Sequence, residues 1–141
     1  MFHYLWPILV VIGANTFYNI TAKSTPVNVN LFASLTITYL VAAALSLALF
    51  FTTAHSKNIF VEWGNANWTA IAFGLSILGL EFGYINVYRV GWKVSTGSLV
   101  ANIGLACVLL LVGILFYKEA ISVRQIVGMA ICAVGLVLIT K

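Results

Sequence analysis

The sequence predicts an all-α membrane protein, a bundle of five transmembrane helices. Of its 141 residues, 62% are hydrophobic and 7% are charged, whereas soluble domains carry about 25% charged residues. The apolar residues form long stretches separated by short polar connections, and a helix needs about 20 apolar residues to cross a bilayer. We therefore expect a single transmembrane domain over residues 1–141, located in the cell (inner) membrane and surrounded by lipid.

Each apolar stretch has recognisable ends. A Ser-Thr-Pro-Val-Asn segment breaks the pattern after the first stretch, and a basic turn separates the third from the fourth. Ser122 and Gln125 have the spacing of a capping box, which predicts where the last helix begins. The first stretch lacks the basic start of a secretory signal, so we expect it to be retained. The predicted spans are about 4–22, 29–53, 68–90, 94–117 and 122–140.

Charge and cysteine content narrow the function classes. The net charge of +4 comes from scattered bases without a basic run, so no nucleic-acid partner is expected. Cys107 and Cys132 lie in apolar stretches without metal-ligand spacing, which predicts packing residues. The sequence has no paired acids and no Ser-His or Ser-Lys arrangement, so we expect neither an enzyme nor a cofactor or metal site.

One acidic residue, Glu81, lies inside the third predicted span. A charge at the bilayer centre costs about 2.5–3.5 kcal/mol on insertion scales and usually marks a functional site. At helical spacing Gly74, Glu81 and Tyr88 fall near one line, with Tyr84 beside it. Three interpretations stay open: a site for substrate or proton, a protonated structural glutamate bonded to a tyrosine, and a solvated residue near the membrane interface.

Two further helix faces are polar. Asn15, Tyr18 and Asn19 share a face of the first span, and buried amides need partners, so this face is expected to point into the protein. A second polar face lies near the start of the fourth span. Aromatic rings beside an acid suit a cation, so the expected ligand is a small metabolite or an amphipathic cation. The candidate substrate-binding residues are Glu81, Tyr84, Tyr88, Asn15, Tyr18, Asn19, Ser95, Ser98 and Asn102.

Gly128 and Gly135 lie seven residues apart, on one stripe of the last predicted helix. Small residues let a second backbone approach closely, and packing drives helix pairing in lipid. We therefore predict that this stripe forms the interface of a homodimer. The alternative is packing within the chain against small residues of the fourth span, namely Gly97, Ala101, Gly104 and Gly113.

The basic residues divide almost evenly between the two sides of a five-span bundle. Orientation normally follows a bias in Lys and Arg, so a near-even division predicts insertion in both orientations. The alternative is one orientation set by partner contacts or by the weak bias. The two sets are Lys57, Lys118 and Arg124 on one side and Lys23, Arg89, Lys93 and Lys141 on the other.

The segment from Phe116 to Leu136 reads FYKEAISVRQIVGMAICAVGL. It resembles the last hairpin of the drug/metabolite transporter superfamily, which includes EamA-domain transporters and small multidrug resistance proteins. The shared marks are an acid after the penultimate helix, a Gly-Met pair and a second glycine seven residues later. The matching residues are Glu119, Gly128, Met129 and Gly135, with further likeness at Ser95, Thr96, Gly97 and Lys23.

The resemblance implies a small secondary transporter built from five-helix repeats, paired in inverted orientation around a central cavity. Because this chain holds one repeat, it would act as a dimer. The small multidrug proteins use a glutamate in their first helix for proton exchange, and that position is Asn15 here, which does not titrate. Glu81 is then the one acid placed for proton coupling. The alternative function is a non-transporting or heteromeric subunit, such as half of a lipid-linked sugar flippase or an assembly partner.

Overall fold

The structure, a computed structural model, describes residues 2–54, 58–120 and 122–140. Lys57 and Lys141, which enter the charge count above, lie outside the described residues. The elements in chain order are α1 (Phe2–Ser24), α2 (Leu31–Thr53), α3 (Ile59–Gly64), α4 (Trp68–Arg89), α5 (Val94–Phe116) and α6 (Val123–Thr140). No strand occurs in the described residues, which confirms the all-α prediction.

Within the described residues, four helices are long and apolar enough to cross a membrane. Their spans are Leu5–Ser24, Leu31–Thr53, Trp68–Arg89 and Val94–Phe116, each within a few residues of a predicted span. In α6 the apolar stretch found is shorter, Val123–Gly135, and a full crossing needs about 20 residues. The fifth span therefore stays a prediction.

Most large apolar side chains are exposed at the surface of the protein. Phe17, Ile37 and Leu115 are 69%, 66% and 71% exposed, a distribution that would be costly in water over so many residues. In a membrane the same side chains face lipid. The fold is therefore consistent with a membrane-embedded protein.

The chain divides into two compact units. The first unit holds Met1–Lys23 and Val87–Lys141, and the second holds Ser24–Asn86. In the first unit α5 packs on α6. Ser122 and Gln125 form the predicted capping box: the Ser122 N–H donates to Gln125 Oε1 at 2.8 Å and the Gln125 N–H donates to Ser122 Oγ at 3.3 Å. The start of α6 is thus confirmed.

In the second unit, Phe32 of α2 stacks on Phe82 of α4 with ring centres 5.7 Å apart. The side chain of Asn30 caps α2 by accepting from two backbone N–H groups, since asparagine oxygens satisfy the free donors of a first turn. The polar connection between the second and third predicted spans contains the short helix α3, which was not predicted. Six residues are too few to show a helical period, but Asn58 caps α3 in the same way.

Candidate functional site

A chain of hydrogen bonds links α4 to the polar face of α1. The Tyr88 hydroxyl donates to Asn19 Oδ1. The Asn19 amide nitrogen donates to Asn15 Oδ1 at 2.8 Å and to the Asn15 carbonyl at 2.7 Å. Asn19 and Tyr88 are each only 4% exposed. The prediction that the asparagine face of α1 points into the protein is confirmed.

The turn after α4 holds Tyr88 in place. The Trp92 N–H donates to the Val87 carbonyl and the Gly91 N–H to the Tyr88 carbonyl, the two bonds of a Schellman motif. Gly91 has a φ of +104°, a conformation that glycine adopts without a Cβ penalty. This short turn leads into α5, which begins at Val94, six residues after Tyr88.

Lys23 ties the end of α1 to the same turn. Its ammonium donates to the Tyr88 carbonyl at 3.3 Å and to the Trp92 carbonyl at 3.2 Å, and lies 5.9 Å from the centre of the Tyr88 ring. A cation is favourable at the negative end of a helix dipole and over an aromatic face. The likeness to a transporter family drew attention to Lys23, but the sequence did not predict these contacts.

A cleft of about 380 Å³ opens between α1 and α5. Clefts of about 300–1,000 Å³ are the size that holds small molecules. None of the described lining residues is charged, and five of the eight carry polar side chains. We call this feature the α1–α5 cleft; its lining is Ile12, Asn15, Thr16, Asn19, Ile20, Val94, Ser95 and Ser98.

Some hydrogen-bonding groups of the cleft already have partners within the described chain, and others do not. The Thr16 hydroxyl donates to the Ile12 carbonyl at 2.8 Å, within its own helix. The Asn15 side-chain oxygen accepts from Asn19, whereas no described group accepts from its nitrogen. The Ser95 hydroxyl likewise has no hydrogen-bond partner in the described part of the chain. The cleft therefore keeps open capacity at Asn15 and Ser95.

The remaining residues predicted for these two faces lie elsewhere. Asn102 is exposed and donates to the Ser98 carbonyl at 2.8 Å, one turn earlier in α5, and it is not among the cleft residues. Tyr18 is half-buried on α1. The structure thus brings together Asn15, Asn19, Ser95 and Ser98 around one cleft, with Tyr88 bonded to Asn19.

Glu81 belongs to the second unit. It is half-buried, as is Tyr84 one turn later on α4. The Tyr39 hydroxyl of α2 is close enough to the Glu81 carboxyl to interact with it electrostatically. The hydroxyl forms no hydrogen bond of good geometry within the described residues. No base forms an ion pair with Glu81 in the described part of the chain. Sequence reasoning missed Tyr39, because a single phenol in an apolar helix gives no pattern.

Gly128 and Gly135 have open surroundings in the described structure. A Cβ built at either position meets no heavy atom within 4 Å. Close backbone packing within the chain, the alternative considered for this stripe, is therefore absent at these two positions. The stripe remains available to a second copy.

No group of three potential metal ligands occurs among the described residues. Comparisons with protein-family models, with curated proteins and with solved structures found no match to this chain.

Proposed function

We propose that this chain is a small secondary transporter that moves a small metabolite or an amphipathic cation by alternating access, as a homodimer of five-span protomers. The observation that carries the proposal is the α1–α5 cleft, a polar cleft of about 380 Å³ between two helices of membrane-spanning length. Ligand sites between the helices of a bundle commonly have this form.

The depth of the cleft supports a transport role. Asn15 lies close to the middle of the 20-residue span Leu5–Ser24, about 15 Å from either end at the helical rise. A polar group in hydrocarbon is costly unless it is hydrogen-bonded. Because the Asn15 amide nitrogen has no acceptor within the described chain, a substrate or water in the cleft would supply one.

Glu81 supports the same function from the second unit. It lies eight residues before the end of α4 at Arg89, about 12 Å along the helix axis. An acid at that depth is a default candidate for binding a cation or carrying a proton. Tyr39 and Tyr84 supply aromatic and hydroxyl groups on the same unit, which suits a cation near the carboxylate.

Dimerisation would supply the second repeat of the proposed transporter. Many secondary transporters contain two related repeats that rock about a site near the midplane, and this chain resembles a single such repeat. The Gly128–Gly135 stripe has no close neighbour in the described chain and would meet its counterpart in the partner. Inverted pairing fits the near-even division of basic residues.

The proposal is tested by filling the cleft. In Ser98→Leu an apolar side chain occupies the cleft beside Asn15. In the matched control Ser76→Leu, the same change falls on an exposed serine of α4, whose hydroxyl donates to the Ala72 carbonyl at 2.8 Å within its own helix. The measurement is uptake of small metabolites and cations into liposomes holding the purified chain, with and without a pH gradient.

We expect the unaltered chain and Ser76→Leu to take up at least one compound and Ser98→Leu to match protein-free liposomes. Equal uptake by both variants would move the substrate path away from the α1–α5 cleft. No uptake by the unaltered chain would contradict transport and favour the heteromeric-subunit alternative, which is then examined by adding a second short membrane protein.

A further inference from the structure

We infer that the α1–α5 cleft receives the negatively charged, oxygen-bearing end of its ligand, a carboxylate or a phosphate. This inference rests on the proposed function, because it names the substrate class of the same cleft. It departs from the cationic substrate that Glu81 suggests, since Glu81 is not part of this cleft.

The first argument is the direction of the hydrogen-bond chain. Tyr88 donates to the Asn19 oxygen, and Asn19 donates to the Asn15 oxygen. The Asn15 amide is thereby oriented with its oxygen toward Asn19 and its two N–H groups free for the cleft. Together with the Ser95 hydroxyl they present donors, which favours a ligand that accepts hydrogen bonds.

The second argument is charge. Asn15, Asn19 and Lys23 are spaced four residues apart and form one stripe of α1, so Lys23 follows the cleft about 6 Å beyond Asn19 along the helix axis. Two of the three ammonium donors of Lys23 are used by the Tyr88 and Trp92 carbonyls. The third is left for a ligand.

The other charged side chains of the first unit near the turn between α4 and α5 are also positive, like Lys23. Arg89 and Lys93 flank the turn between α4 and α5. Glu119 is the only acid in the sequence of this unit, and it follows the opposite end of α5. Its N–H donates to the Gly113 carbonyl at 3.0 Å, which holds it there. No acid of this unit is therefore placed to balance a cation in the cleft.

The first turn of α5 adds to the donor character of the cleft. Lys93 precedes this helix without a side-chain capping bond, and Val94 and Ser95 line the cleft. Uncapped N–H groups carry the positive end of the helix dipole. An amine in the cleft would place donors against donors, and its charge would repel Lys23.

The experiment uses the purified full chain in nanodiscs of phosphatidylcholine, labelled with ¹⁵N-asparagine. The probes are butyrate, butyramide and butylammonium, which share one carbon chain and differ in charge and polarity. The readout is the side-chain NH₂ resonance of Asn15, assigned by its loss in Asn15→Gln. We expect butyrate to shift this resonance with about tenfold higher affinity than butyramide, as for a hydrogen bond strengthened by charge, and butylammonium to leave it unchanged.

Two variants separate the charge from the fold. Lys23→Gln should bring the affinity for butyrate close to that for butyramide, whereas Arg124→Gln, a matched loss of a base in the first turn of α6, should retain the preference. Asn15→Asp should reverse the preference, so that butylammonium shifts the Asn19 side-chain resonance and butyrate does not. A gained affinity for the amine cannot arise from misfolding.

The source of the oxyanion is decided by adding phosphatidylglycerol to the nanodiscs. A shift of the Asn15 resonance on this addition, reversed by butyrate, assigns the site to a lipid headgroup, and no shift assigns it to a soluble ligand. Equal responses to the three probes, or the strongest response to butylammonium in the unaltered chain, would overturn the inference. Butyrate binding without uptake of any compound would contradict transport and leave the inference standing.

Discussion

Gly97 is the position where one methyl group most directly tests the packing beneath the cleft. A Cβ built there lies 3.1 Å from Val87 Cγ1, 3.2 Å from Trp92 Cβ and 3.3 Å from Tyr88 Cε1. All three distances are shorter than ordinary van der Waals contact. Tyr88 is held by its bond to Asn19 and Trp92 by the Schellman motif, so a shift of either neighbour strains a hydrogen bond.

We therefore expect Gly97→Ala to destabilise the protein by about 1–3 kcal/mol, the usual cost of overpacking a well-packed site. The assay is equilibrium unfolding in mixed detergent micelles, followed by tryptophan fluorescence, to which Trp92 at the contact contributes. The ¹⁵N side-chain resonance of Asn19 should shift in the folded variant, because displacement of Tyr88 changes its hydrogen bond.

Gly104→Ala is the matched control on the same helix, because an added Cβ there meets no heavy atom within 4 Å in the described structure. It should leave the free energy of unfolding unchanged or raise it by up to about 1 kcal/mol, because alanine favours a helix interior over glycine. If Gly97→Ala is as stable as Gly104→Ala, the close approach of α5 to the α4–α5 turn is wrong, and so is the support it gives to the cleft.

Three further predictions concern the hydrogen-bond chain, the half-buried Glu81 and the glycine stripe. Tyr88→Phe leaves the buried Asn19 oxygen without its donor and should lower the free energy of unfolding by about 1–3 kcal/mol; an unchanged value in the same unfolding assay would contradict the network. Glu81→Gln should fold normally but lose uptake and its pH dependence in liposomes, whereas unchanged uptake at every pH would remove Glu81 from the site. Gly128→Val and Gly135→Val should each weaken self-association by adding bulk where backbones meet; dimers of unchanged stability by cross-linking in lipid would place the interface elsewhere.

The helical architecture was predictable because its signals are strong and local. The predicted starts at residues 68 and 94 coincide with the first residues of α4 and α5, since a long apolar stretch bounded by polar turns fixes a helix within narrow limits. The Ser122–Gln125 capping box was equally predictable, because both of its hydrogen bonds join residues three positions apart in the sequence. Helix α3 was not predicted, since its six residues are too few to show a helical period.

The candidate site was predictable in composition but only in part in arrangement. Helical spacing placed Asn15 and Asn19 on one face, and their inward orientation followed from the cost of a buried amide. Helical spacing also placed Ser98 and Asn102 on one face of α5, but only Ser98 lines the cleft. Spacing within one helix does not show how far a neighbouring helix extends along it. Tyr39 and Lys23 were missed for the same reason: their partners lie on other elements, at sequence separations where a single sequence carries no signal.

The most direct test of the central claim, that this chain alone moves a ligand by alternating access, is trans-stimulated exchange. Labelled compound, chosen as one that the unaltered chain takes up, is added outside liposomes that hold the purified chain and are preloaded with the same unlabelled compound. Alternating access predicts faster entry into preloaded than into empty liposomes, because a loaded site returns to the outside. Entry at the same rate in both, or at the rate of protein-free liposomes, would contradict the claim.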